Sequence, residues 1–311
     1  MIITVTLNPA VDKTIEIDNF CVGTVNRISS ARLDAGGKGI NVSKVIQSLG
    51  GRSRAVGILA GNNGRFIKEY LDSMEIENDF VFIDGETRVN TKVVDRVKHT
   101  NTDINESGPQ VSDENLDKLS NKLYKDLGKS SLIVFSGSVP QNVDKRIYKT
   151  WIEQAKDKGI KTILDADGEL FKQGIKAGPY LVKPNINELE ALFAQKINSV
   201  DETLKLSRGL LDYGIEIVVV SLGADGALFV RKNSSILAKG IKVEVKSTVG
   251  AGDSMVAALA LAIDKGYDFE KAVRLSVACG TASVMTSGTQ AADLDTITTF
   301  ENMVEFQYIN Y

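Results

Sequence analysis

The run Ser247-Thr248-Val249-Gly250-Ala251-Gly252-Asp253-Ser254 leads small residues and one acid into an Ala-rich apolar stretch. If that stretch is a helix, its first turn carries backbone N–H groups with no intrahelical partner and the positive end of the helix dipole. Together these make an anion site. Asp253 would be held ionised there, beside the point where charge develops on a transferred anionic group. An ionised carboxylate beside an anion site is the chemistry this implies. The plainer reading is a helix-capping acid, since Asp is favoured at helix starts.

Two further glycine-rich segments could approach a ligand. Asp34-Ala35-Gly36-Gly37-Lys38-Gly39-Ile40-Asn41 brings bare backbone close and adds the point charge of Lys38 and the amide of Asn41; a flexible turn before a helix explains it equally well. Ser221-Leu222-Gly223-Ala224-Asp225-Gly226-Ala227 follows an apolar run, and nucleotides bind at the ends of such strands in open α/β sheets. A hairpin turn leading into a strand at 227–230 is the competing reading. Asp12, after Asn8-Pro9, stands where it could accept sugar hydroxyls, although turns also favour Asp. Lys183-Pro184-Asn185-Ile186-Asn187-Glu188 ends a strand in polar groups or simply caps a helix. Arg88 could meet a phosphate or be an ordinary edge charge. The one histidine, His99, falls in a polar turn, so histidine-based nucleophilic or zinc chemistry has little support. Gly128-Lys129-Ser130 resembles the end of a P-loop, but Leu123 stands where that motif needs glycine and the strand–loop–helix order is reversed. No dinucleotide fingerprint follows the first strand.

The elements that must position these groups follow a regular rhythm. Strand-length apolar runs at 132–135, 162–164, 180–182 and 217–220 alternate with amphipathic stretches at 145–158, 187–195 and 200–213. That alternation predicts a doubly wound, mostly parallel α/β sheet covered by helices on both faces. Helices are expected at 40–49, 253–265 and 269–286, the last two buried. Two stretches break the rhythm: 14–18 and 89–97 alternate with period two, and turn residues are expected at 84–85 and 100–105. They predict a small antiparallel sheet grown from two insertions, forming a flap over one edge.

Bulk properties narrow the function. The chain has 311 residues, 37 basic and 40 acidic, with a net charge of −3 and no block of like charge, so no nucleic-acid partner is expected. Cys21 and Cys279 form neither a disulfide framework nor a metal-site spacing. The opening residues read as a buried strand rather than a leader, and the apolar run at 255–263 is far too short for a bilayer. A cytoplasmic protein with no membrane partner is expected.

Taken together, Ala35-Gly36-Gly37-Lys38-Gly39-Ile40-Asn41, the Ser247 to Ser254 run and Lys183 to Glu188 between them resemble the ribokinase-like (PfkB) family of carbohydrate kinases, over almost the whole chain. The resemblance implies one ribokinase-like kinase domain over 1–311, with lid strands inserted at about 12–35 and 86–106. It implies Asp253 as catalytic base and Gly250, Ala251 and Gly252 as the anion hole. Asp12, Gly36, Gly37, Lys38, Asn41, Arg88 and Ser138 would bind the sugar phosphate, with Lys38 or Arg88 on its phosphate. Lys183, Asn185, Glu188, Ser221, Gly223 and Gly226 would line the ATP site, with 278–283 near the adenine, and Asn185 and Glu188 would order Mg²⁺ through water. Arg27 is a weaker assignment in a variable lid segment. Thr87-Arg88-Val89-Asn90-Thr91-Lys92 and Thr102-Asp103-Ile104-Asn105-Glu106 are most similar to the branch acting on fructose 1-phosphate, with the tagatose 6-phosphate branch close. A non-catalytic sugar-phosphate-binding regulator is a further alternative. The lid of many members makes a dimer contact, so a homodimer joined through the lids is expected.

Overall fold

The computed structural model describes residues 1–309 except Asp126, Lys129, Ser130, Ser131 and Ser287. Lys129 and Ser130 of the rejected P-loop therefore lie outside the described residues, while Leu123 is buried in a helix core. The strands are β1 (Ile2–Thr6), β2 (Ala10–Ile17), β3 (Ser30–Gly36), β4 (Ser53–Ala60), β5 (Glu77–Ile83), β6 (Arg88–Asp95), β7 (Thr100–Asn105), β8 (Leu132–Ser136), β9 (Lys161–Asp165), β10 (Leu181–Val182), β11 (Ile217–Ser221), β12 (Gly226–Arg231), β13 (Ser234–Lys239) and β14 (Phe306–Tyr308). The helices are α1 (Lys38–Ser48), α2 (Gly61–Ser73), α3 (Asp113–Tyr124), α4 (Ile147–Asp157), α5 (Gly168–Gly174), α6 (Ile186–Phe193), α7 (Val200–Leu211), α8 (Ala251–Lys265), α9 (Phe269–Val284) and α10 (Leu294–Met303).

A ten-stranded sheet in the order β14-β13-β12-β11-β10-β9-β8-β1-β4-β5 forms the body. From β11 to β5 every neighbouring pair is parallel, and β12, β13 and β14 continue it antiparallel. Successive residues of each strand point to opposite faces, so the apolar strands feed two cores at once. Ile133 and Phe135 pack with Tyr148, Trp151, Leu189 and Leu204 on one side. Leu132 and Val134 pack with Val45, Ile46, Val256 and Leu259 on the other. The expected α/β body is thus present, covered on both faces, and this is why its strands read as continuous apolar runs.

The flap is a second, four-stranded sheet in the order β3-β2-β6-β7. Two hairpins make it, and both are antiparallel, but they join through β2 and β6, which run parallel. The all-antiparallel expectation is corrected here, and the main sheet supplies the reason. β2 leaves β1 and β6 leaves β5 at the same edge of a parallel sheet, so both chains set out in the same direction. The expected turn at 100–105 is instead strand β7. Chain reversal occurs at residues 96–99, where Asp95 accepts the N–H groups of Val97 and Lys98 and ends β6. Ile15, Ile17 and Val93 of this sheet pack with Phe20, whereas Leu33 and Ile104 remain exposed.

Helix starts divide into two kinds. Ser112, Asn185, Ser199, Asp268 and Asp293 cap α3, α6, α7, α9 and α10 with their own side chains. No side chain caps α1 or α8, whose N-cap residues are Gly37 and Gly50. Those two open N-termini face the same cleft.

β1 and β4 pack closely within the parallel sheet. Gly57 of β4 lies against Thr6, and a methyl added at Gly57 would collide with the Thr6 backbone carbonyl, which cannot move aside as a side chain would. Gly57→Ala is expected to lower stability by about 1–3 kcal/mol, the usual range for overpacking, as read by urea denaturation. An unchanged midpoint would mean that β1 and β4 separate without penalty.

Candidate active site

A cleft of about 1000 Å³ runs between the ends of the parallel strands and the flap, and is lined by residues of both sheets. Position follows topology. Asp165 ends β9, the run from Lys183 to Glu188 follows β10, and the loop starting at Ser221 follows β11, so three neighbouring strands deliver polar groups to one edge. The 221–226 segment is the hairpin turn that one reading of its sequence had: it joins antiparallel β11 and β12, and Ser221, Gly223 and Gly226 line the cleft.

At the centre, Asp253 lies in the first turn of α8 and is buried. Gly250 adopts φ 85°, a left-handed conformation suited to glycine, and so turns the chain into the helix. The first-turn amides of Ala251, Gly252 and Asp253 come after it. The side chain of Asn41, from α1, donates Nδ2–H to Asp253 Oδ2 at 2.8 Å, while Asn41 Oδ1 is buried with no partner. The two glycine-rich segments, over 200 residues apart in the chain, thus meet in one hydrogen bond. Burial lifts the Asp253 carboxyl above its usual range and Asp165 adds to the rise. Lys38, Asn41 and Lys183 oppose it. Desolvation thus opposes the stabilisation of the ionised form expected from the helix dipole.

Asp165 is the residue that sequence reasoning missed at the centre. It is fully buried and sits between two cations, Lys38 Nζ at 3.5 Å from Oδ2 and Lys183 Nζ at 3.5 Å from Oδ1. Burial alone would raise its carboxyl, but the two ammonium groups hold it below the ordinary range and raise Lys38 in turn. Lys183 also stands beside Gly252, where any side chain would crowd its Nζ. One signal was available: an acid closing the apolar run at 162–164 is a strand-end group facing the ligand edge.

The lid wall of the cleft is built by the small sheet. Asp12 pairs with Asn90 across β2 and β6, and Asn90 Nδ2 donates to Asp12 Oδ1 at 3.2 Å. Burial raises the Asp12 carboxyl, opposed by Asn90, Lys44 and Arg88. Gly36 must be glycine because a side chain would fall on the Asp12 carboxylate. Gly37 and Arg88 also line the cleft, and Arg88 is anchored by donating to the carbonyls of Asn8 and Glu106. Ser138 is exposed beside Gly137, next to the stem of Lys38, and is not part of the cleft wall. His99 turns the outer hairpin, away from this chemistry. Lys44 was also missed, because a lysine on a predicted helix reads as a solvated charge. It is 2% exposed and donates to the Ala35 carbonyl at 2.9 Å and to Thr289 Oγ1 at 3.3 Å. Burial lowers it to about 8 against the pull of Asp34, Asp12 and Asp253.

On the wall formed by the strand ends, Asn185 and Glu188 form a reciprocal capping box at the start of α6, each side chain accepting the other's N–H at 2.9 Å. The capping reading and the cleft-lining reading of these residues are both met.

The Asn41 bond gives a pH test. If Asp253 is the base, activity needs it ionised, and Asn41 favours that form. Asn41→Ala should therefore move the acid limb of the kcat profile to higher pH and lower the plateau by about tenfold or more, since a hydrogen bond to a charged group is worth ~1.5–3 kcal/mol. A limb that stays in place would show that Asn41 does not tune the base.

Comparison with known proteins agrees with this geometry. Residues 5–297 match the model of the pfkB family carbohydrate kinases. The 1-phosphofructokinase of Borreliella burgdorferi is 39% identical over 92% of this chain and 92% of its own, and that of Bacillus subtilis 36% over 91% and 92%. The crystal structure of phosphofructokinase-2 from Escherichia coli in complex with substrates and products superposes with a TM-score of 0.93 at 29% identity, covering 97% of this chain and 98% of that one. An uncapped helix start with a buried acid, two glycine-rich segments joined at that acid, and family similarity over nearly the full length lead to one conclusion: the chain belongs to the pfkB family of carbohydrate kinases and is an ATP-dependent sugar kinase.

Proposed function

We propose that the protein transfers the γ-phosphoryl group of ATP to D-fructose 1-phosphate, giving fructose 1,6-bisphosphate and ADP. The observation that carries this reading is Asp253 itself, buried at an uncapped helix N-terminus and held by Asn41, at the meeting point of the two cleft walls. The acceptor hydroxyl oxygen attacks the γ-phosphorus, the bond from that phosphorus to the β,γ-bridging oxygen breaks, and the hydroxyl proton passes to an Asp253 oxygen. A sugar hydroxyl is a weak acid, so the proton leaves as the P–O bond forms. The transition state is loose and the protein mainly positions groups and balances charge. The amides of Gly250, Ala251 and Gly252, with Lys38 and Lys183 nearby, supply that balance. Asp12, Gly36, Gly37 and Asn41 hold sugar hydroxyls, Arg88 faces the sugar phosphate, and Ser221, Gly223 and Gly226 lie along the nucleotide.

Mg²⁺ suits the residues present. Among the described residues no cluster of three acidic, histidine or cysteine side chains could hold a metal by itself. That matches an ion carried mainly by phosphates and water, with Asn185 and Glu188 behind the waters and buried Asp165 adding negative charge. When bound, Mg²⁺ would neutralise charge on the ATP phosphates. The lid excludes water, a competing acceptor. A non-catalytic regulator would have no use for the buried base.

A coupled ADP-release assay with fructose 1-phosphate, tagatose 6-phosphate and unphosphorylated hexoses tests the substrate. The first is expected to give the highest kcat/KM, and preference for the second would reassign the branch. Asp253→Asn should retain sugar-phosphate binding and lose about 10²–10⁴-fold in kcat, the usual worth of general-base assistance. Near-normal turnover would reduce Asp253 to a helix cap.

The exposed Leu33 and Ile104 of the lid support a homodimer through this sheet. Phe20 covers part of the sheet within the chain, so the remaining contact is smaller than the bare strand pattern implies. Light scattering at micromolar concentration should give twice the monomer mass, and Ile104→Asp should halve it. A fully active monomer would end the dimer reading.

A further inference from the structure

Among the described residues, the lysines at the bottom of the cleft are already engaged: Lys38, expected on the acceptor's own phosphate from the sequence, is paired with buried Asp165, and so is Lys183. Arg88 gives three of its five N–H groups to the carbonyls of Asn8 and Glu106, which leaves its charge and two donors for a phosphate that a second cation would share. Higher in the lid the situation differs. Arg88, Asn90 and Lys92 occupy alternate positions of β6 and so share one face. Asn90 stands opposite Asp12, and Lys92 opposite Thr14 and Asp103. All these residues line the cleft. The Lys92 ammonium meets Asp103 Oδ1 at 3.7 Å, and Asp103 is 58% exposed, so this is a loose pair.

We propose that Lys92 is a specificity-determining residue that binds the phosphate already carried by the acceptor sugar, exchanging Asp103 for that phosphomonoester. This deepens, and rests on, the sugar-phosphate kinase reading above. The spacing supports it. Lys92 lies two residues, ~7 Å, further out along the strand than the Asp12–Asn90 pair. With the sugar hydroxyls on that pair, the acceptor's far phosphate falls within reach of a long, flexible side chain from the next position on the same face. The electrostatics support it too. An exposed lysine–carboxylate pair is weak, whereas a phosphate dianion offers a stronger charge-assisted partner. Asp103 then acts as a stand-in anion that keeps the lysine over the cleft. The cleft's other lysines are placed differently: Lys13 is on the alternate register of β2, and Lys242 follows β13 beyond the hairpin that closes the nucleotide end.

The test is steady-state kinetics on the full chain. Wild type is assayed with fructose 1-phosphate and tagatose 6-phosphate, followed by Lys92→Ala, Lys92→Met, Lys92→Arg and Asp103→Asn. Lys92→Ala and Lys92→Met should raise KM for the sugar phosphate between about tenfold and a hundredfold, the range for a lost charge-assisted bond. KM for ATP should stay within about twofold. Lys92→Arg should recover most of the affinity, which a purely structural role would not do. Asp103→Asn should lower KM for the sugar phosphate by up to about fivefold. If the alanine and methionine variants keep the wild-type KM, or shift both substrates equally, Lys92 does not read the phosphate. A higher KM in Asp103→Asn would overturn the exchange. If wild type turns over neither sugar phosphate, the functional reading and this inference fall together; turnover by wild type with no effect at Lys92 removes this inference alone.

Discussion

Charge balance in a dry cleft is the constraint on which this structure depends. Asp253, Asp165, Asp12 and Asp34 converge on one region, and Asp253, Asp165 and Asp34 are nearly inaccessible to water. Burying carboxylates without partners is expensive. Lys38 and Lys183 on Asp165, Asn41 on Asp253 and Asn90 on Asp12 offset that expense, and Lys44 supplies a buried positive charge below. Lys38, Asn41 and Lys44 come from α1 and their partners from β2, β3, β6, β9 and α8, so the sheet, α1, α8 and the lid must all be in register before the charges cancel.

The same balance separates two roles within one cavity. Asp165 is held ionised by two lysines, while Asp253 is pushed toward its neutral form by burial and by Asp165 itself. Environments that drive two carboxyls apart are how an acid–base division of labour arises from a single residue type. Here one carboxylate stays as fixed charge and the other can exchange a proton. Lys38 links them, being paired with the first and attracted to the second.

The lid joins specificity to this chemistry. Its cleft-facing positions carry Asp12, Asn90, Lys92 and Asp103, whereas its alternate positions carry Ile15, Val93, Leu33 and Ile104. Period two therefore does double work, sorting polar groups to the cleft face and apolar groups to the other. The parallel pairing of β2 with β6 sets this register, and it exists only because both hairpins leave the same edge of the main sheet.

Local patterns were enough for much of this. Apolar runs and amphipathic stretches specify the strands and helices of the body, and the small-residue runs before α1 and α8 mark the open helix ends, because these signals lie within a few residues of one another. The helix over 269–286, the strand at 217–220 and the helix-start acid Asp253 all belong to this class. Long-range partnerships carry no such signal. Nothing near Asn41 says that its amide meets Asp253, nothing near Asp165 says that two lysines flank it, and the apolar stripe of α1 gives no warning that Lys44 is buried. The turn assigned to 100–105 failed because polar residues serve equally well in an exposed strand, and only pairing with β6 chooses between them. Hydrogen bonds and charges act through space over a few ångströms, so their partners are chosen when the chain folds, and residues hundreds of positions apart become neighbours only then.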